Sequence, residues 1–144
     1  MKIKFDNTYT TNSFFEDVQL LGIVAPIKDY HFCWQVNKSL HFDFRNNTTY
    51  EIELLKKERH YYFAVYEYQI VNTCLTHYIY ANQFDGEYLL PQYKHLDFLW
   101  LIKGDFVSQL ELQIIIAQIK SIHQVQLVTV LTNDTIKHRE HLVL

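Results

Sequence analysis

Eight histidines are the first residues to test for chemistry, because imidazoles at ligand spacing hold metal ions and one beside a hydroxyl or thiol can act as a base. They are scattered at His31, His41, His60, His77, His95, His123, His138 and His141. Only His138 and His141 can share a helical face. No cysteine pair at ligand spacing joins them, and a stable site needs three or four ligands, so no metal is expected. Ser13, Ser39, Ser108 and Ser121 lie outside any glycine-framed elbow, and neither Cys33 nor Cys74 has a positioned base, which argues against acyl transfer. Three isolated glycines, Gly22, Gly86 and Gly104, cannot write a dinucleotide fingerprint or a phosphate loop. No cofactor is expected.

Carboxylates gather around residues 85–105. Asp85, Glu87, Asp97 and Asp105 can be drawn as an acid/base pair, with a hydrolase acting through Asp97 and Asp105 as the sharpest version. The simpler interpretation is turn and cap chemistry, since Asp85-Gly86 and Gly104-Asp105 are the breaks expected on either side of a buried strand.

The most distinctive residues are aromatic. Between His60 and Gln69, Tyr62, Tyr66 and Tyr68 occupy even positions, and on the following segment so do Tyr78 and Tyr80. Side chains alternate along a strand. If the two strands align like parities, Phe63, Val65, Leu75 and Ile79 build the core. Tyr62, Tyr66, Tyr68, Tyr78 and Tyr80 then form an outward patch suited to a partner, since tyrosine buries a large ring while its hydroxyl stays satisfied. The alternative places these rings under the N-terminal segment or in the core, with hydroxyls reaching the rim.

The elements that position these residues follow from periodicity. Residues 1–17 form a lead-in segment ending in a turn near Phe14. Gln19 to Ala25 predicts a buried strand stopped by Pro26, and Tyr30, Cys33, Trp34, Asn37 and Leu40 predict an amphipathic helix over about 27–40. Leu40 to Arg45 and Tyr50 to Lys56 suggest one hairpin, and His60 to Gln69 with Thr73 to Gln83 a second. The basic cluster Lys56, Lys57, Arg59 and His60 suits a hairpin end. Leu96 to Lys103 is a strand; Leu110, Ile114, Ala117 and Ile122 mark a helix that Ser108 can cap; Gln124 to Thr132 closes the order, leaving 134–144 as a tail. The fold class is α+β: a largely antiparallel sheet with two helices on one face, in a ferredoxin-like order (βα, two hairpins, βαβ) enlarged by an extra hairpin. The alternative is a more open arrangement whose central meander curls away from the helices.

Length and composition bound the rest. The 144 residues suit one domain without an internal linker, and 49% hydrophobic content is enough for a sizeable core. No apolar run approaches the roughly 20 residues that span a bilayer, and no secretory signal pattern is present, so a cytoplasmic protein with reduced cysteines is expected. A net charge of -3 supplies no field for nucleic acid.

The segment Leu90-Pro91-Gln92-Tyr93-Lys94-His95-Leu96-Asp97-Phe98 resembles the signature of the IPExxxVDY family of small bacterial proteins. Pro91 and Asp97 match outright, and Leu90, Leu96 and Phe98 match in apolar or aromatic character. Gln92 stands where the signature has Glu, which argues against an obligatory acid or base there. Similarity extends to Leu20–Ile23, the Asp29-Tyr30 helix start, the Asn37-Lys38 helix end and Ile102-Lys103-Gly104-Asp105, covering nearly the whole chain. The resemblance implies a cytoplasmic housekeeping role and names no reaction. Together these features favour a non-enzymatic interaction or adaptor protein, acting on a protein partner or a second copy through the tyrosine face or an exposed sheet edge. A small-molecule-sensing domain is the main alternative, and an RNA-associated factor a weaker one.

Overall fold

The computed structural model describes residues 8–144. In chain order the elements are α1 (Thr8–Phe14), β1 (Gln19–Val24), α2 (Asp29–Leu40), β2 (Arg45–Asn46), β3 (Ile52–Lys56), β4 (Arg59–Phe63), β5 (Val65–Gln69), β6 (Thr76–Ala81), β7 (Gln83–Phe84), β8 (Glu87–Tyr88), β9 (Phe98–Lys103), α3 (Gln109–Lys120) and β10 (Leu127–Leu131). Six strands form the main sheet in the order β10-β1-β9-β6-β5-β2, and every neighbouring pair is antiparallel. Two small hairpins, β3-β4 and β7-β8, stand apart from it.

The two central strands have no polar face. Along β9, Phe98, Trp100 and Ile102 point to one side and Leu99 and Leu101 to the other, all of them buried. Such a strand demands cover on both faces. On one side α2 and α3 supply Phe32, Cys33, Val36, Leu112, Ile116 and Ile119 against Leu21, Ile23, Ile79 and Trp100. On the other, the cover is irregular: Phe15 after α1, Ile52, Tyr61 and Phe63 from the β3-β4 hairpin, Leu89, Leu90 and Leu96 from the following loop, and Ile136 and Leu142 near the C-terminus. The expected tail at 134–144 is therefore part of this second core, and the lead-in segment holds a helix, α1, where only a turn was expected.

Both long helices present a different face from the one their periodicity first suggests. In α2 the core takes Phe32, Cys33, Val36 and Leu40, leaving Tyr30 and Trp34 exposed. In α3 it takes Leu112, Ile116 and Ile119, leaving Leu110, Ile114 and Ala117 in solvent. Each helix carries two apolar stripes, and helical spacing alone cannot rank them. The Ser108 hydroxyl caps α3 as expected, accepting from the Glu111 amide at 3.2 Å.

The strand pairing between residues 40 and 69 also differs from expectation. Segment 41–44 is irregular, with Asn37 at the end of α2 donating to the Phe44 carbonyl and accepting from its amide. The hairpin forms instead between β3 and β4 around Lys57-Glu58, whose φ of 51° and 62° give the backbone twist of a tight two-residue turn. The long strand expected from His60 to Gln69 breaks at Ala64, so that β4 leaves the main sheet and β5 stays in it. The basic cluster sits at the hairpin end, as the spacing suggests.

Candidate functional site

The segment joining β6 to β9 is organised by one buried side chain. Asn82 is fully enclosed; its Nδ2 donates to the carbonyls of Tyr93 and Leu96, both at 2.9 Å, and its Oδ1 accepts from the Leu90 amide at 2.9 Å. An amide offers two donors and an acceptor on one rigid plane, so one residue closes a loop of more than a dozen. Leu90, Leu96 and Phe98 are driven inward, and Pro91 opens a single 3₁₀ turn, where its missing N–H is not needed. Leu96 packs directly on Gly22 of β1, where a Cβ would lie 2.4 Å from its Cδ1.

Asp97 sits at the start of β9 and closes the next strand over. Its Oδ2 accepts from the Ala25 amide at 2.8 Å, and its own amide donates to the Ile23 carbonyl at 2.8 Å. Burial raises its carboxyl above the usual range, with the Ala25 hydrogen bond working in the opposite direction. Gln92 grips the C-terminal segment twice, donating to the Thr135 carbonyl at 3.1 Å and accepting from the Lys137 amide at 2.7 Å. A glutamate there would keep only the second bond.

Asp97 and Phe98 border a cleft of about 620 Å³, whose other walls include Lys28 and Asp29 at the start of α2, Tyr62 of β4, and Phe84, Asp85 and Gly86 of the β7-β8 turn. Its three aspartates are engaged. Asp29 accepts from the Tyr66 hydroxyl at 3.0 Å, Asp85 pairs with Arg59, and Asp97 holds Ala25. Glu87 pairs with Lys56 at 3.2 Å. Asp85, Glu87 and Asp97 thus act as turn and anchoring groups, and Asp97 and Asp105 lie beyond opposite ends of β9.

The tyrosines do not form one patch. Strands β5 and β6 pair unlike parities, Val65 with Tyr80, Tyr66 with Ile79 and Tyr68 with His77. Tyr66 and Tyr68 therefore point to the helix side, and Tyr78 and Tyr80 to the opposite side, while Tyr62 lies on the detached hairpin and is 40% exposed. Tyr80 is fully buried and donates its hydroxyl to the Leu142 carbonyl at 2.8 Å; Tyr66 is 7% exposed, and Tyr68 and Tyr78 are half-buried. The register is set by the turn around Asn72, at φ 64°, closed by the Ile70 amide donating to the Leu75 carbonyl, and it differs by one residue from the expected alignment. A one-residue shift exchanges faces.

Exposed apolar surface lies elsewhere, at the β10 edge of the sheet. Leu127 and Val130 of β10 are 45% and 48% exposed, and Leu110 and Ile114 line the outer side of α3, which packs over that strand. The opposite edge, β2, is two residues long and carries Arg45, the blunted form that resists pairing. Strand β10 reads Leu-Val-Thr-Val-Leu, without a charge or proline. The sequence signal for this surface was the second apolar stripe of α3.

Among the described residues, no helix is long and apolar enough to cross a membrane. No protein-family model, curated protein sequence or solved structure matches the chain.

Proposed function

We propose that this is a cytoplasmic, non-enzymatic interaction protein that associates by adding a strand to the free side of β10. The observation that carries this reading is an unblunted edge strand beside exposed leucine and isoleucine on α3. A second copy is the simplest occupant. Leu127-Val128-Thr129-Val130-Leu131 reads the same in both directions, so a two-fold antiparallel pair centred on Thr129 sets Val128 against Val130 and Leu127 against Leu131. Residues that face each other then lie on the same side of the joined sheet, and both cores continue across it.

The test is mass in solution by light scattering. The wild type should run as a dimer and Val130→Lys with Leu127→Lys as a folded monomer, because lysine on an edge strand discourages pairing. A monomeric wild type, or a double variant that stays dimeric, overturns this reading.

The strands β10-β1-β9-β6, with α2 and α3 on one side, support a ferredoxin-like core to which β5, β2 and the β3-β4 hairpin are additions. Membership of the IPExxxVDY family is part of the same proposal. It is supported by the anchoring of the Leu90 amide at the Asn82 side chain, of Leu96 against Gly22 and of Asp97 at the Ala25 amide. A small-molecule-sensing role has one observation in its favour, the cleft bordered by Asp97, Phe98 and Lys28. A thermal-shift screen with charged metabolites distinguishes it, since a ligand that fills the cleft raises the melting temperature by mass action.

A further inference from the structure

As a bare pair, His138 and His141 fall short of a metal site, but the fold brings a carboxylate to them. We propose that His138, Glu140 and His141 bind a divalent first-row transition ion of the zinc class, leaving further coordination positions for water or a ligand from another molecule. One donor atom from each of the three side chains lies within 4.8 Å of the other two. Bonds of 2.0–2.2 Å around a tetrahedral ion separate its donors by roughly 3.4 Å, so rotations of the side chains bring the set to ligand distance. Two imidazoles and one carboxylate suit zinc, cobalt or nickel, whereas magnesium and calcium prefer oxygen throughout.

The backbone builds this arrangement. His138 takes a left-handed conformation, φ 61°, and starts the 3₁₀ turn Arg139–Leu142, its carbonyl accepting from the His141 amide at 2.9 Å. In a 3₁₀ turn residues three apart eclipse, and the two imidazoles accordingly stack with centroids 5.2 Å apart and planes 12° from parallel. Glu140 lies beside them, its Oε1 3.4 Å from His138 Nδ1. Arg139 turns away, over the Phe15 ring.

The histidine nearest the protein body is already oriented as a ligand. His141 Nδ1 lies 2.9 Å from the Leu89 carbonyl, which can only accept, so Nδ1 carries the hydrogen and the Nε2 lone pair is free for an ion. Leu89 is itself immobilised: it is fully buried and its amide donates to the Asn82 carbonyl at 2.9 Å. Leu142, next along the turn, is fully buried and tied to Tyr80. The site thus stands on a fixed part of the core.

The full chain titrated with Co²⁺ alone should show the visible absorption of one bound ion per chain, abolished by added Zn²⁺, and Zn²⁺ should raise the melting temperature where Mg²⁺ does not. His138→Asn, which tolerates the left-handed backbone, and Glu140→Gln should each weaken Co²⁺ binding about tenfold or more while leaving the metal-free melting temperature unchanged. Absence of the Co²⁺ spectrum and of the Zn²⁺ shift overturns the proposal. So does binding that both substitutions leave intact, which would place the ion on other histidines.

Discussion

The indole nitrogen of Trp100 donates a hydrogen bond to Nδ1 of His77 at 3.0 Å, across the β9-β6 pair and inside the core beneath α2 and α3. Indole is only a donor, so His77 must be neutral with its hydrogen on Nε2. Around it stand the rings of Phe42, Phe44 and Tyr68, which exclude water without supplying a charge.

That bond predicts acid sensitivity. Burial lowers the His77 pKa from 6.5 to about 4, so across that range the unfolded chain binds a proton that the folded chain refuses. Stability contributed by neutral His77 is complete above pH 6.5 and declines as pH falls toward 4, by about 3 kcal/mol in all. Urea unfolding at a series of pH values, followed by the fluorescence of buried Trp100, should show this slope, and His77→Phe should flatten it. A slope unchanged in that variant would assign the effect to other groups.

Asn82 should be among the most sensitive positions. Asn82→Ala removes three hydrogen bonds of about 1 kcal/mol each and leaves the Leu96 carbonyl and the Leu90 amide without these partners, while the Tyr93 carbonyl keeps the Leu96 amide, a loss of roughly 3 kcal/mol. Asn82→Asp keeps the volume but turns an oxygen toward the Tyr93 and Leu96 carbonyls, and should do no better at neutral pH. Chemical denaturation of both variants checks this, together with hydrogen exchange of the Leu90 amide.

Gly104 should not accept a side chain. Its φ is +111°, and a Cβ would lie 1.8 Å from the Cys74 carbonyl oxygen, which belongs to backbone and cannot rotate away. Gly104→Ala should cost roughly 2 kcal/mol or more. At Gly86, also at positive φ, a Cβ meets nothing within 4 Å, so Gly86→Asn should cost much less because asparagine tolerates the left-handed region. Paired melting curves give the comparison.

Tyr80→Phe isolates one hydroxyl. The ring keeps its place, but the Leu142 carbonyl loses its donor in a buried site, a change of about 1–2 kcal/mol. Faster hydrogen exchange should appear first in residues 139–144. Tyr66→Phe, which loses a bond to half-exposed Asp29, should have the smaller effect.

Much of the element order was legible in the sequence because it rests on local chemistry. Pro26 stops β1, Ser108 caps α3, and Asp85-Gly86 and Gly104 end strands, each for a reason contained within a few residues. What escaped depends on distant partners. Choosing Leu112, Ile116 and Ile119 over Leu110, Ile114 and Ala117 requires knowing where the sheet lies, because both sets have helical spacing. The faces of Tyr66 and Tyr80 depend on a register that the turn at Asn72 fixes. Asn82 gave no signal beyond its position at a strand end, and its value comes from three backbone groups 8 to 14 residues away.

The placement of β1 between β9 and β10 bears on how the chain is made. The first main-sheet strand to leave the ribosome is enclosed by the two main-sheet strands that leave it last, and it lacks both strand partners while the intervening hairpins are synthesised. Closing so long a loop is entropically dear once and slow always, since non-local pairing delays folding more than it weakens the product. The β5-β6 hairpin can form during translation, but the sheet centre needs β9 and can only be assembled after residue 103 has emerged. Until then β1 lacks the neighbour strand that its largely apolar sequence is built to meet.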